Sequence, residues 1–440
     1  MTKSAAIAVV SILILGAAAW GQDPPVPVGD QFQVNTSTFS HQMLASVAAD
    51  TVGNFVVVWT SQQSQGDDDS GRSIQGQRYN ASGAPLGGEF QINTYTTNTQ
   101  HEPEVAMDGQ GNFVVTWSSV SSGGTDTDGR SIHGQRFDSA GNPVGDQFQV
   151  NTYTTDHQDE PSVAMDPLGN FVVVWESYGS LGTDSIYNSI QGQLYDSDGD
   201  PVGGEFQVNT ITQGYQKDAA VSSDGQGNFI VVWHSEFTKI KGQLYDDGGA
   251  AVGGEFKIDS AGYGSRPEVA ADSLGNFAVV WQAAEAGGVD TSDRSIETQR
   301  FDVNGNPVGS QIQVNTYTTD DQTDAGVAMD AQGNFVVVWK SEGSETSYYR
   351  SIQAQYFDSG GNSVGDQFQV NTYTTYFHHA PFATMDGQGN FIVVWDSDGS
   401  PGNDSSNRAV QGQRYSAGAE VIFSDGFESG DTSTWSSTVQ

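Results

Sequence analysis

One phrase, Gly-Asn-Phe followed by three mostly β-branched residues and a Trp, is written seven times in this chain, beginning at Gly53, Gly111, Gly169, Gly227, Gly275, Gly333 and Gly389. The Asn residues of successive copies lie 58, 58, 58, 48, 58 and 56 positions apart. A period of this length makes the chain an array of one structural unit rather than a string of unrelated domains. Each unit holds four strand-like segments bounded by turn residues. In the second unit they start at Phe90, Pro103, Asn112 and Ser131, and are designated strands D, A, B and C. The 54 glycines, with abundant Val, Thr, Phe and Tyr, favour strands and turns over helices, and the expected class is all-β.

Strand B is a continuous apolar run, the pattern of a strand covered on both faces. Strand C alternates, with Ile132, Gly134 and Arg136 on one face and His133, Gln135 and Phe137 on the other, and is expected nearer solvent with strand D. Between A and B every unit carries Asp-x-x-Gly-Asn, beginning at Asp50, Asp108, Asp166, Asp224, Asp272, Asp330 and Asp386. Asp can bond the amides of such a turn and Gly accepts positive φ, so these aspartates read as hairpin chemistry rather than catalysis.

Seven repeats of four antiparallel strands resemble the seven-bladed β-propeller of four-stranded blades. The chain ends carry the resemblance further. Pro-Val-Gly-Asp-Gln-Phe-Gln-Val-Asn-Thr from Pro27 recurs from Pro143, so the first residues supply a D strand, while the segment from Gln411 ends as a C strand. The N-terminal strand is therefore expected to complete the last blade, closing the ring without an open edge. Each Trp of the phrase is expected to pack between blades, where burial is worth about 2–3 kcal/mol. The Phe-Val-Val-Val-Trp and Gly-Gln-Arg-Phe-Asp segments resemble repeats of secreted bacterial propellers from Pro27 to about Gly418, a likeness that implies fold and export but no single activity.

Lys3 followed by the apolar run Ala5 to Ala19 has the form of a secretory signal, giving expected bounds of 1–21 for the signal, 22–418 for the propeller and 419–440 for a tail. The tail resembles the Asp-Gly-Phe-Glu-Ser-Gly-Asp endings of assorted exported bacterial proteins and reads as a sorting or docking tag. No cysteine is present, which excludes disulfides, thiolate metal sites and thiol catalysis. A net charge of −38 repels nucleic acid and anionic membranes and draws divalent cations. The expectation is a secreted or cell-surface monomer that does not insert in a membrane.

Length varies only in the B–C and D–A connections, which leave an antiparallel meander on one face. From Trp233 to Ile240 is seven residues where most units have fifteen. Variable loops on a rigid scaffold are where binding sites concentrate, and the short loop is expected to notch that rim. Residues entering strand A from this face should ring the channel mouth. Among them His101, Glu102, Asp159, Glu160, Asp218, Arg266, Asp324 and His379 are the candidate ligand-binding set. In the long B–C loops Asp68, Asp126, Asp184, Asp290 and Asp404 each precede Arg72, Arg130, Asn188, Arg294 and Arg408 by four, suggesting an internal bridge. Asp67, Asp68, Asp69, Asp126 and Asp128 also form dense oxygen clusters that suit calcium, the one cofactor suggested. The Gly-Gly-Glu-Phe segments at Gly87, Gly203 and Gly253 lead into strand D and carry no cyclase meaning.

These residues point to a non-enzymatic binding or adhesion propeller that engages an extracellular protein or glycan through the B–C/D–A face. The alternative is a glycan-acting hydrolase or lyase using the mouth carboxylates; no catalytic residue is assigned.

Overall fold

The computed structural model describes residues 23–417 apart from 39, 63–70, 122–123, 181, 185, 238, 261–262, 285–292, 343–349 and 400–407. The proposed signal and tail, with Asp67, Asp68, Asp69, Asp290 and Asp404, lie outside the described residues. The described chain forms seven four-stranded antiparallel sheets in a ring, each in the order A-B-C-D from the channel outward. Blade two is representative: Gln100–Met107, Phe113–Val120, Arg130–Phe137 and Pro143–Gln149. The seventh blade takes its D strand from Val26–Gln33, which pairs antiparallel with Arg408–Ser416 and so joins the two ends of the ring.

The cores lie between blades. All seven phrase tryptophans are fully buried, and each packs with the B and A strands of its own blade against the preceding one. Strand C is a correction: His133 and Gln135 are nearly as buried as Ile132, because C is flanked by B and D in its sheet and by neighbouring blades on both faces. Only D is solvent-facing along most of its length.

Cross-strand register explains the repeated Gly of strand C. In five blades it stands opposite a D-strand Phe, as Gly134 does opposite Phe148, and a Cβ on Gly134 would lie 2.5 Å from that ring. The fifth blade has Thr298 opposite Ile312 instead, a larger residue facing a smaller one. Blades are also tied polar to polar. The Glu or Gln of each D-strand Gly-x-Glu/Gln-Phe accepts from the segment following the preceding blade's D strand, as in Thr152 N to Glu205 Oε2 at 2.7 Å. Gln31 makes the same contact with Thr372 across the closure, at 2.9 Å. This is what the Gly-Gly-Glu-Phe segments do.

The A–B turns behave as their composition predicts. Asp108 Oδ1 accepts from the amides of Gln110 and Asn112, and Oδ2 from Asn112 Nδ2 at 2.7 Å. The pattern repeats in all seven blades.

Candidate functional site at the channel mouth

The side chains at the B–C/D–A mouth are set by an irregularity in the innermost strand. Every A strand carries a β-bulge that places two residues opposite its Trp, as Glu102 and Pro103 lie between the pairs His101–Ser118 and Glu104–Thr116. The first bulged residue is Leu44, Glu102, Glu160, Asp218, Arg266, Asp324 or Ala380, and each has a left-handed φ of 45–56°. For a residue with a Cβ this conformation costs about 1–2 kcal/mol, and Gly is its natural occupant. None of the seven is Gly and five are charged.

The bulge also turns the backbone amide of that residue toward the preceding blade. There it meets the residue that follows the phrase Trp. Asp218 N donates to Glu176 Oε1 at 2.6 Å, Leu44 N to Asp396 Oδ2 at 3.0 Å, and Glu102 N to Thr60 Oγ1 at 3.2 Å. These acceptors belong to a second ring, Thr60, Ser118, Glu176, His234, Gln282, Lys340 and Asp396, which the candidate set above omits. Its signal is in the sequence: the position just after the most constant phrase holds a different residue in every copy.

Three groups form. His101 Nδ1 lies 3.2 Å from Glu102 Oε2, and both come within 4.8 Å of an Asp159 oxygen, while Arg130 holds Asp159 Oδ2 at 2.7 Å. Burial pushes the Glu102 carboxyl up, but His101, Arg130 and Ser118 outweigh it and hold it below the usual range. Next to it Glu160, Glu176 and Asp218 offer oxygens within 4.8 Å of one another. Glu160 reaches water through the channel while Glu176 is buried; crowding by protein and the like charge of neighbouring carboxylates push Glu160 upward. The pair therefore holds a shared proton more readily than two separate glutamates. On the far side Asp324 bridges Arg266 at 2.6 Å and Lys340 at 2.5 Å, and these cations overcome burial to keep it ionised. The mouth is thus an acidic arc over blades two to four facing a charge-balanced arc over blades five and six.

His379 does not join these groups. On the A strand of the seventh blade, it sits beside Asp398 at 3.6 Å and Arg350 of the preceding blade at 3.3 Å. The suggested Asp-to-Arg loop bridge is not made in the second blade, a correction. Asp126 accepts instead from Asn151 Nδ2 at 2.9 Å, tying the loop to the end of strand D, and Arg130 reaches across to Asp159 of the next blade. Asp184 repeats the contact with Asn209. The donor sets in this mouth, an imidazole with two carboxylates and three carboxylates together, are those able to hold a divalent cation, and Asp126 and Asp128 belong to neither.

Equivalent interblade cavities of about 200–290 Å³ lie on the opposite face, lined by the constant Asp, Asn and stacked aromatic residues of the repeat.

No protein-family model matches this chain, and no curated protein does. Among solved structures, a Dyadobacter fermentans protein of unknown function aligns at 10% identity with a TM-score of 0.51, over 89% of this chain and 99% of its own. A fungal alcohol oxidase in complex with copper aligns at 14% identity and the same TM-score, over 89% of this chain and 76% of its own. These likenesses establish the fold alone. The class defined by the fold is the seven-bladed β-propeller, here with an asymmetric charged mouth.

Proposed function

We propose that this is an exported, non-enzymatic binding propeller, related to secreted bacterial propellers of the same repeat. Its mouth on the B–C/D–A face engages an extracellular glycan or protein. The observation that carries this is the first mouth ring: seven positions where Gly would relieve strain hold side chains instead, most of them charged. Strain kept at one ring of an otherwise copied scaffold is the mark of a site that uses those side chains. Carboxylates accept from hydroxyls, and the neighbouring arginine and lysine donate, so the mouth offers both partners that sugar hydroxyls need. The test is a screen of the mature protein on an array of neutral and acidic oligosaccharides, together with a pull-down of extracellular proteins. Binding abolished by Glu102→Ala with Glu160→Ala supports the mouth, and binding indifferent to both removes it.

The second reading, a glycan-acting hydrolase or lyase, is favoured by one observation, the proton-sharing Glu160 and Glu176 pair. Against it, the two carboxyl groups are hydrogen-bonded to each other, whereas a pair bracketing a glycosidic bond stands about 5–5.5 Å apart in retaining enzymes and about 6.5–9.5 Å apart in inverting ones. Release of reducing sugar by the wild type, lost in Glu160→Gln, would reverse this preference.

A further inference from the structure

The fourth blade departs from the repeat in one concerted way. Four of the chain's six lysines fall on it, Lys217, Lys239, Lys241 and Lys257, in a protein of net charge −38. Lys241 on strand C stands directly opposite Lys257 on strand D. In the other blades this pair is Gln with Gln in four cases, and His133 with Gln149 or Glu297 with Gln313 in the remaining two. Like charges facing across a sheet repel, so the fold alone gives no reason for two lysines there.

The missing loop explains how they are tolerated and what they face. In blades two and three the D-strand Gln holds its own long B–C loop: Gln149 Oε1 accepts from Thr125 N at 2.9 Å, and Gln207 Oε1 from Thr183 N at 2.9 Å. The Asn two residues on binds the loop Asp. Blade four has only the short turn between Ser235 and Lys239. Lys257 replaces the Gln, its side chain 53% exposed, and Asp259 replaces the Asn, 4.0 Å from Lys257 Nζ. Aromatic rings border the vacated rim. Phe237 is 65% exposed, Tyr215 is 40% exposed, and Lys217 Nζ lies 4.9 Å over the Tyr215 ring, which meets Tyr187 of blade three.

We infer that this notch binds an acidic glycan: the lysines take its carboxylate or sulfate groups, and the exposed rings of Tyr215 and Phe237 stack on its sugar faces. From strand A to strand D the lysines span three interstrand spacings, about 14 Å, which suits several charged residues of a linear chain rather than one anion. The inner end of the track is Asp218 and the acidic arc, whose carboxylates suit hydroxyls. The inference rests on the reading of this face as glycan-binding and narrows its ligand.

The test is titration of the mature chain with oligogalacturonate, a sulfated oligosaccharide, a neutral oligosaccharide of equal length and poly-glutamate. Lys241→Gln with Lys257→Gln restores the residues of other blades, so folding is safeguarded. Expected are binding of an acidic oligosaccharide, a loss of about ten-fold in the double variant with a shallower salt dependence, and a comparable loss in Phe237→Ala. The control Arg72→Gln with Arg294→Gln removes equal charge from other blades and should leave binding within about two-fold. Equal binding of poly-glutamate, equal loss in the control, or an unchanged double variant would overturn the inference. Neutral-glycan binding lost only in the Glu102/Glu160 variant would sink the notch and keep the mouth; the converse would sink the mouth and keep the notch.

Discussion

At Ala380 the bulge strain stands alone, because the side chain carries no charge that a ligand would use. Ala380→Gly should therefore stabilise the protein by up to about 1 kcal/mol, the relief of a left-handed Cβ less the added freedom of the unfolded chain. A melting temperature that falls would show that the ring is unstrained and would weaken the functional reading of its charged members. The turn aspartates offer the opposite case. Asp108→Ala removes the acceptor of three hydrogen bonds and should cost about 1–3 kcal/mol in denaturant unfolding, with no effect on ligand binding at the other face. Turn aspartates were legible from sequence because Asp, Gly and Asn at fixed offsets have one local use. The bulge was not, since nothing in Leu44, Glu102 or Arg266 announces positive φ. The second ring stands one residue past the Trp, at positions such as Glu176 and Lys340 where the repeated phrase has already ended and no residue type recurs to mark a site.

At the level of strands, the closure was readable because the ten residues from Pro27 duplicate those from Pro143, and register follows from that copy. The pairing of D-strand Phe with C-strand Gly is the contact that seats the closing strand. Phe32→Ala should lower stability by about 2–3 kcal/mol and open the ring at this seam first, seen as early hydrogen exchange in Arg408–Ser416. Uniform exchange across all seven C strands would contradict that order. Strand C itself was misjudged because its alternation of Gln, Gly and Arg looks half-solvated, whereas its glutamines fold back on backbone carbonyls, as Gln135 Nε2 does on Arg136 O at 3.0 Å. The second blade's loop differs for a related reason: a carboxylate four residues before a guanidinium suggests a local pair, but Asp126 and Arg130 each find a partner outside the loop.

Over the whole molecule, the ring concentrates carboxyl groups in its channel. Glu104 and Glu268, on opposite sides and half-buried, are each pushed up to about 8, chiefly by burial, with Glu104 also raising Glu268. The folded state then binds more protons than the unfolded chain between about pH 4.5 and 8, so stability should fall as pH rises through this window. Channel water screens both groups, and the slope should stay under about 1.4 kcal/mol per pH unit for each. Melting curves should flatten across that range in Glu104→Gln with Glu268→Gln; an unchanged slope would place the protons elsewhere. Which face binds is decided by oligosaccharide-array binding of three proteins: the wild type, Glu160→Gln with Asp218→Asn at the mouth, and Asp198→Ala on the opposite face. Expected are strong signal in the wild type, loss of about ten-fold or more at the mouth and none on the opposite face; signal that survives the mouth substitutions, or is lost with Asp198, would place the binding surface elsewhere.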